Sequence, residues 1–278
     1  MNPSRTGRDG SLSLRFERRL QKTTLVECRF QLPLQVLTPI QQEDGSTYML
    51  LLNPTGGVLG GDRLVTVVAQ GAGTHVCFST PSATRVYRSP GPAAIQETRI
   101  RLGPGAVLEY MPDAVIPHRG AALQQSLSIE LEAGCVAMFA DTLAAGRLAH
   151  GERWSFRQVS SEIVIKQGAK PLFIDRALIE PGRIPPARFN VMEDYNYAVT
   201  FGVLADGYSA WRDLQGKIES LFAACTQVRG GSSLPASGGI IVRFLAKSAV
   251  DVHPVLHQVW GIARSMVLKQ GPFILRKY

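Results

Sequence analysis

The segment NPTGGVLGGDRL, residues 53–64, has clear potential for chemistry, because glycine-rich loops can bind phosphate through backbone N–H groups. A Walker loop needs Lys followed by Ser or Thr after its last glycine, and here Asp62 and Arg63 occupy those positions. A dinucleotide loop opens a helix, whereas LVTVVAQ, residues 64–70, has the pattern of a strand. The segment therefore predicts a tight turn between strands, with Asp62 either a carboxylate of that turn or an acid facing a channel.

The histidines and cysteines give little support for hydrolytic chemistry. The sequence has no HExxH, no GxSxG and no Cys–His arrangement, and its four cysteines form no CxxC pair. His75, His118 and His150 are solitary. His253 and His257 are four residues apart, so on a helix they would share one face and could form a metal pair. Surface or capping roles are the simpler interpretation of these two.

Short strands must position these residues. From about Leu12 to Ile179 the sequence is a series of short alternating runs separated by Gly, Pro, Asp and Ser. AIQETRIRL, residues 94–102, alternates in the way of a strand with one solvated face. The similar turns at 71–73 and 103–106 indicate stacked hairpins of similar length.

The pattern changes after the proline-rich stretch 181–189. A strand over 197–204 precedes a helix with Ser209 as its N-cap, and the loop RGGSSLPASGG leads to a strand over 240–245. A last helix follows, with Pro254 tolerated in its first turn. The prediction is a mainly β protein. A β-rich body, 1–185, is followed by a β-α-β-α segment, 186–278, packed as part of one continuous domain.

Composition narrows the class of protein. The chain has 278 residues, 45% hydrophobic and 19% charged, which is typical of a soluble globular protein with a sizeable core. No apolar run approaches the ~20 residues of a membrane helix, and no apolar stretch follows the basic N-terminus. We therefore expect reduced cysteines and a cytoplasmic location. The net charge of +8 is explained at least as well by an acidic protein partner as by nucleic acid, because no basic patch is interleaved with aromatics.

Four further segments complete a pattern: TPSATRVYRSPG (80–91), LEYMPDAVIPHRGA (108–121), FADTLAAGRLAHGERW (139–154) and KPLFIDRALIEP (170–181). Together with the glycine segment, they resemble in order and spacing the urease accessory proteins of the UreD type, called UreH in some organisms. The resemblance runs from about Leu12 to Pro181 and continues more weakly to the last helix. Where the family usually reads LEWLPQ, this chain has Tyr110 for Trp and Asp113 for Gln.

The resemblance implies a layered, helical arrangement of many short β-strands with two helices near the C-terminus. It also implies a chaperone scaffold rather than an enzyme. Such a protein would bind apo-urease together with an F-type accessory protein and a G-type GTPase, and would help insert nickel. No tightly bound cofactor is expected, only nickel in transit, and neither nucleic acid nor membrane is an expected partner. The alternative function is a stand-alone β-rich metal-dependent hydrolase.

Family members contain an internal passage proposed to carry nickel, and matching segments give its candidates here as Asp62, Glu109, Asp141 and Asp175. Transport requires weak sequential sites, which scattered carboxylates and water can provide. The alternative for each is a buried carboxylate paired with a base or with turn amides, and Arg176 beside Asp175 or Arg147 could be such a base. The other prominent residues of these segments are interpreted as structural. They are Gly56, Gly57, Gly60, Gly61, Tyr87, Arg88, Gly146, Arg147, Gly151 and Glu152.

Overall fold

The computed structural model describes residues 8–187 and 192–275, so Arg5 of the basic N-terminus lies outside the described residues. The first nine strands are β1 (Asp9–Arg19), β2 (Lys22–Gln31), β3 (Gln35–Val36), β4 (Ile40–Gln41), β5 (Thr47–Leu52), β6 (Arg63–Gln70), β7 (His75–Ser79), β8 (Thr84–Val86) and β9 (Ala94–Leu102). The next nine are β10 (Val107–Met111), β11 (Val115–Pro117), β12 (Ala122–Leu131), β13 (Val136–Ala144), β14 (Gln158–Gln167), β15 (Lys170–Ile179), β16 (Tyr197–Ala205), β17 (Val228–Ser233) and β18 (Ile240–Ala246). Two α-helices are α1 (Trp211–Ala224) and α2 (Ala249–Ala263).

The strands form two stacked sheets between which the chain alternates. The first sheet has the order β15-β14-β12-β9-β6-β1-β2, and the second has the main order β17-β18-β16-β13-β10-β7-β5-β3. Neighbours β6, β9, β12 and β14 are parallel in the first sheet, as are β5, β7, β10 and β13 in the second. From β5 to β14, successive long strands therefore belong to opposite sheets, and this part of the chain winds as a flattened helix of strands. This confirms the mainly β, layered and helical prediction.

The turns at one end of the winding stack on one another. The Gly73 N–H donates to the Pro104 carbonyl, and the Gly105 N–H to the Ala133 carbonyl, each at 2.9 Å. Gly73 and Gly105 have φ of +63° and +66°, a backbone conformation that favours glycine. The turns are stacked as expected, but the hairpin prediction is wrong. Each turn joins strands of opposite sheets, because the neighbours within a sheet are parallel and need a longer connection.

The C-terminal elements extend the second sheet. β16 pairs antiparallel with β13, and β18 pairs antiparallel with β16. One apolar cluster fills the space between the sheets, and a second lies between the second sheet and the two helices. Together they make three layers, with the second sheet in the middle. In the helices of the described ranges, none is long and apolar enough to cross a membrane.

One strand in this region is missing from the sequence prediction, which has a loop at RGGSS. Residues 228–233 form β17, an edge strand paired with β18. Its two glycines have low strand propensity, so the sequence does not predict a strand here. Gly230 has a packing reason, because a Cβ there would lie 2.5 Å from the Phe222 ring of α1. The observed order is therefore β-α-β-β-α.

Two details of the helix starts also differ from the prediction. Helix α1 has Ala210 as its N-cap without a side-chain hydrogen bond, so Ser209 lies one residue too early. Helix α2 begins after Ser248, which forms a capping box with Asp251. This early start places Pro254 in the second turn rather than the first. Pro254 has no N–H, so the Val250 carbonyl lacks its usual hydrogen bond within the helix. Val250 is 80% exposed, so water can donate to this carbonyl instead.

Candidate functional site

A cavity of about 170 Å³ lies between the two sheets, and a group of polar side chains forms part of its wall. Asp141 on β13 and Tyr110 on β10 face it from the second sheet, and Gln125 on β12 and Ser161 on β14 face it from the first. Strand alternation produces this arrangement. Gln125 shares its face of β12 with Leu123 and Leu127, which are buried. These polar side chains therefore interrupt the apolar layer between the sheets.

Asp141 is held by two neutral donors. Gln125 Nε2 donates to its Oδ1 at 3.0 Å, and Ser161 Oγ donates to its Oδ2 at 3.1 Å. Burial raises the pKa of Asp141, hydrogen bonds from Ser161 and Gln125 oppose that shift, and the charge of Asp175 adds to it. Burial likewise raises the pKa of Tyr110. Neutral donors, unlike a guanidinium, do not cancel the negative charge of the carboxylate. Binding of a cation to it therefore remains favourable.

Asp175 lies near Asp141 but has a different partner. Its Oδ2 accepts from an Arg243 guanidinium nitrogen at 2.9 Å, which links β15 of the first sheet to β18 of the second. The sequence offers Arg176 as a candidate base for Asp175, but in the structure the base is Arg243. Neighbouring strand residues point to opposite faces, so Arg176 turns outward and binds Glu162 at 2.5 Å.

Glu109 is fully buried in a network of donors. His75 Nε2 lies 2.7 Å from its Oε1, and Trp260 Nε1 donates to its Oε2 at 2.6 Å. Arg264 pairs with the same carboxylate and also with Asp44. His75 stands alone in the sequence, but in the structure its imidazole contacts a buried carboxylate. Both oxygens of Glu109 are in use in this arrangement.

Asp62 is part of the turn that its own segment forms. Its Oδ2 accepts from the Leu59 N–H at 2.8 Å, and the residue is 7% exposed. Gly57 packs so closely that a Cβ would lie 2.4 Å from the Arg85 carbonyl oxygen, and Val58 forms a parallel bridge with Val86. The turn leads into strand β6, whereas a dinucleotide-binding loop would open a helix.

Arg147 and Glu152 form a hydrogen-bonded ion pair away from the cavity. Arg147 donates two hydrogen bonds to the Glu152 carboxylate, at 2.9 and 2.5 Å, and the Arg119 N–H donates to it at 3.0 Å. The Arg147 hydrogen bond lowers the pKa of Glu152 to about 2. Tyr87 packs edge-on against His118 with ring centroids 4.8 Å apart. His118 is thus in an aromatic contact rather than isolated.

The four candidate carboxylates do not converge. In the described part of the chain, Asp141 lines the inter-sheet cavity, while Asp62, Glu109 and Asp175 lie outside its wall. The described residues also hold no group of three or more His, Cys, Asp or Glu side chains arranged to bind a metal. The passage role of each of the four remains a prediction.

Sequence reasoning missed the residues that hold these carboxylates. Gln125 and Ser161 were detectable in principle, because each is a polar residue at an inward position of an alternating strand. Arg264 and Asp44 carried no such signal. They are 220 residues apart in sequence, and only the tertiary fold brings them together.

Comparison with known proteins places these segments in one family. Residues 8–277 match the family model described as "UreD urease accessory protein". The chain is similar to the urease accessory protein UreD of Deinococcus radiodurans, at 33% identity over 98% of this chain and 96% of that protein. It is also similar to the proteins of that name from Herpetosiphon aurantiacus, at 31% over 96% of both chains, and from Haloarcula marismortui, at 31% over 98% and 91%.

Proposed function

The chain belongs to the UreD family of urease accessory proteins, and on that premise we propose that it is a non-catalytic scaffold that delivers nickel to apo-urease. In this proposal it acts in the cytoplasm, in a complex with an F-type accessory protein and a G-type GTPase. The family itself supports a role in urease maturation. The finer statement, nickel delivery, is argued from the cavity between the sheets.

The observation that carries the proposal is the state of Asp141. Its carboxylate borders the inter-sheet cavity and accepts hydrogen bonds from two neutral donors, Gln125 and Ser161. Glu109 and Asp175, in contrast, are each paired with an arginine. In Asp141, a cation entering the cavity would meet a carboxylate whose hydrogen-bond donors are both neutral.

The chemistry of such a site suits a metal in transit. Nickel accepts carboxylate, imidazole and water ligands, and a single carboxylate supplemented by water holds it weakly. A cage of several thiolates or imidazoles would retain the ion instead. The neighbouring amide of Gln125 and hydroxyl of Ser161 offer further neutral oxygens at the same point of the cavity.

The basic test of the function is deletion of this protein in a cell that makes urease. We expect urease protein to be present but inactive and poor in nickel, as measured by metal analysis of the purified enzyme. Restoring the wild-type chain should restore both nickel content and activity. Urease with normal nickel content and activity in the deletion strain would refute the proposal.

Substitution tests the site itself. Asp141→Ala should reduce the nickel content of urease while co-purification with the F-type partner continues. Glu130→Ala is the matched control, because Glu130 lies on the outer face of β12 and pairs with Arg101 and Lys166. Loss of assembly in the Asp141 variant would show a structural carboxylate and contradict the proposed passage.

A further inference from the structure

We propose that three arginines at one end of the stacked sheets bind an acidic surface of a protein partner, and this inference rests on the proposed function. The three are Arg85, Arg88 and Arg119, which together we call the arginine surface, and all of them are exposed. Arg85 lies on β8, Arg88 follows that strand, and Arg119 follows β11. None of them contributes to the wall of the inter-sheet cavity.

Arg88 and Arg119 are neighbours across two facing segments of backbone. Arg88 forms an antiparallel bridge with Ala121. A Cβ at Gly120 would lie 3.3 Å from Arg88 Cγ. The aliphatic stem of Arg88 therefore lies across the residue that directly follows Arg119.

Arg85 reaches the same region through Tyr87. A Cβ at Gly57 would lie 3.0 Å from Arg85 Cβ and 2.8 Å from Tyr87 Cε2, so these two side chains flank the same glycine. The Tyr87 ring in turn packs edge-on against His118, with centroids 4.8 Å apart. The residue after His118 is Arg119, so the three arginines belong to one continuous surface.

The backbone beneath the arginine surface is fixed by hydrogen bonds. The Ser89 N–H donates to the Gly120 carbonyl at 3.1 Å. The Arg157 guanidinium donates to the Ser89 and Gly91 carbonyls, each at 2.8 Å. A partner would therefore have to order only the arginine side chains, which lowers the entropic cost of binding.

No ion pair neutralises the three guanidinium groups within residues 8–187 and 192–275, and none of the three makes a side-chain hydrogen bond there. The acid that contacts this region is Glu152, and its carboxylate is already paired with Arg147. Glu152 accepts from the backbone N–H of Arg119, not from its guanidinium. Three positive charges are thus left together without compensation.

The outer face of the first sheet shows that this is not the general state of the protein. The exposed arginines there are matched by glutamates: Arg63 and Arg99 with Glu97, Arg101 with Glu130, and Arg176 with Glu162. Like charges that are left together repel one another and oppose folding. An acidic partner would remove that cost, which is the usual sign of a surface kept for binding.

The chemistry of the three side chains favours a protein as the partner. Guanidinium groups bind carboxylates through two parallel hydrogen bonds, and arginine is frequent among the residues that contribute most to interfaces. Single-stranded nucleic acid would need aromatic rings on which its bases could stack. Tyr87, the aromatic residue of this surface, is half-buried against His118 instead.

The test compares two triple variants of the full-length chain that change the net charge equally. Arg85→Gln/Arg88→Gln/Arg119→Gln removes the arginine surface, and Arg99→Gln/Arg101→Gln/Arg176→Gln removes three paired arginines from the first sheet. Affinity is measured for purified apo-urease, for the F-type accessory protein and for the G-type GTPase.

We expect the first variant to bind at least one of the three proteins at least about tenfold more weakly. The control variant should keep the wild-type affinities. The affinity of the wild type should fall as NaCl rises from about 0.05 to 0.5 M, and that of the first variant should fall less. The first variant should unfold at no lower temperature than the wild type, because it loses no ion pair.

Wild-type affinity of the first variant for all three proteins would overturn the proposed surface. An equal loss in the control variant would also overturn it, because net charge alone would then explain the binding. Lost binding to duplex DNA or to anionic phospholipid vesicles, with all three protein affinities unchanged, would assign the surface to another class of partner. Normal urease nickel in the deletion strain would instead refute the proposed function, so the two failures are distinguishable.

Discussion

Arg264 lies at the end of the last α-helix and pairs with Glu109 of β10, 155 residues earlier in the sequence, and neither side chain is exposed. The guanidinium also donates through Nε to the Gly271 carbonyl at 2.9 Å and lies over the rings of Trp260 and Phe273. One side chain therefore joins the β body, the helix and the C-terminal segment. Glu109 has a structural role in this arrangement, whether or not a cation ever reaches it.

Replacing one member of this pair should destabilise the protein strongly. In Glu109→Gln, Arg264 loses one of its two carboxylate partners inside the core, and we expect a loss of about 3–5 kcal/mol in the free energy of unfolding. Urea denaturation measures it. Glu130→Gln, which breaks only half-exposed surface pairs, should cost less than about 1 kcal/mol. In a cycle with Arg264→Met, strictly additive losses would contradict direct coupling of the pair.

The strands were predictable because their signal is local. Alternation of side chains along β9 and the glycines between strands are visible in any short window of sequence. The same alternation places Gln125 beside Leu123 and Leu127, so part of the inter-sheet site could have been found.

The rest depends on contacts that a local pattern does not contain. β17 is a strand because β18 supplies its hydrogen bonds and Phe222 requires a glycine opposite, although its own residues favour a loop. Arg243 replaces Arg176 as the partner of Asp175 because the strand face, not the distance along the chain, decides which base is near. Asp44, His75 and Arg264 join Glu109 only through the tertiary fold.

Asp141→Asn should separate function from stability. Burial raises the pKa of Asp141 above its ordinary value of 3.8. The native state then binds the proton more tightly than the unfolded state, so stability falls as pH rises from 3.8 through the folded pKa. Asparagine carries no such charge. We therefore expect the variant to gain stability relative to the wild type across that interval and to keep the gain at neutral pH.

Thermal unfolding of both proteins from acid to neutral pH measures this difference, and urease nickel content is measured in parallel. The expected combination is higher stability with lower nickel loading, as for a residue kept for function at a cost in stability. An Asn variant that is less stable at neutral pH would show instead that the charge of Asp141 stabilises the fold.

Gly57→Ala tests the glycine segment as a packed turn. Gly57 has φ of +156°, and a Cβ would lie 2.4 Å from the Arg85 carbonyl oxygen, which is backbone and cannot move easily. We expect a loss of at least about 2 kcal/mol in the free energy of unfolding. Gly91 is a matched control, because a Cβ there meets nothing within 4 Å, and its Ala variant should stay within about 0.5 kcal/mol. Equal effects of the two substitutions would contradict the packing argument.

The Arg147–Glu152 pair should make stability depend on acid pH. The Arg147 hydrogen bond lowers the folded pKa of Glu152 from 4.5 to about 2. The contribution of the pair is therefore fully present above pH 4.5 and declines as pH falls toward 2. Urea denaturation at several pH values should show the wild type more stable than Glu152→Gln at pH 6, with the two curves converging near pH 2.

Salt separates this pair from an exposed one. The Glu152 side chain is only 10% exposed, whereas Asp194, which pairs with Lys247, is 64% exposed. Ions in solution screen exposed charges well and partly buried charges poorly. At about 1 M NaCl the effect of Asp194→Asn on stability should vanish, while that of Glu152→Gln persists. If salt abolished both effects equally, the Glu152 carboxylate would have to be solvated in solution, and the two hydrogen bonds from Arg147 could not be the cause of its low pKa.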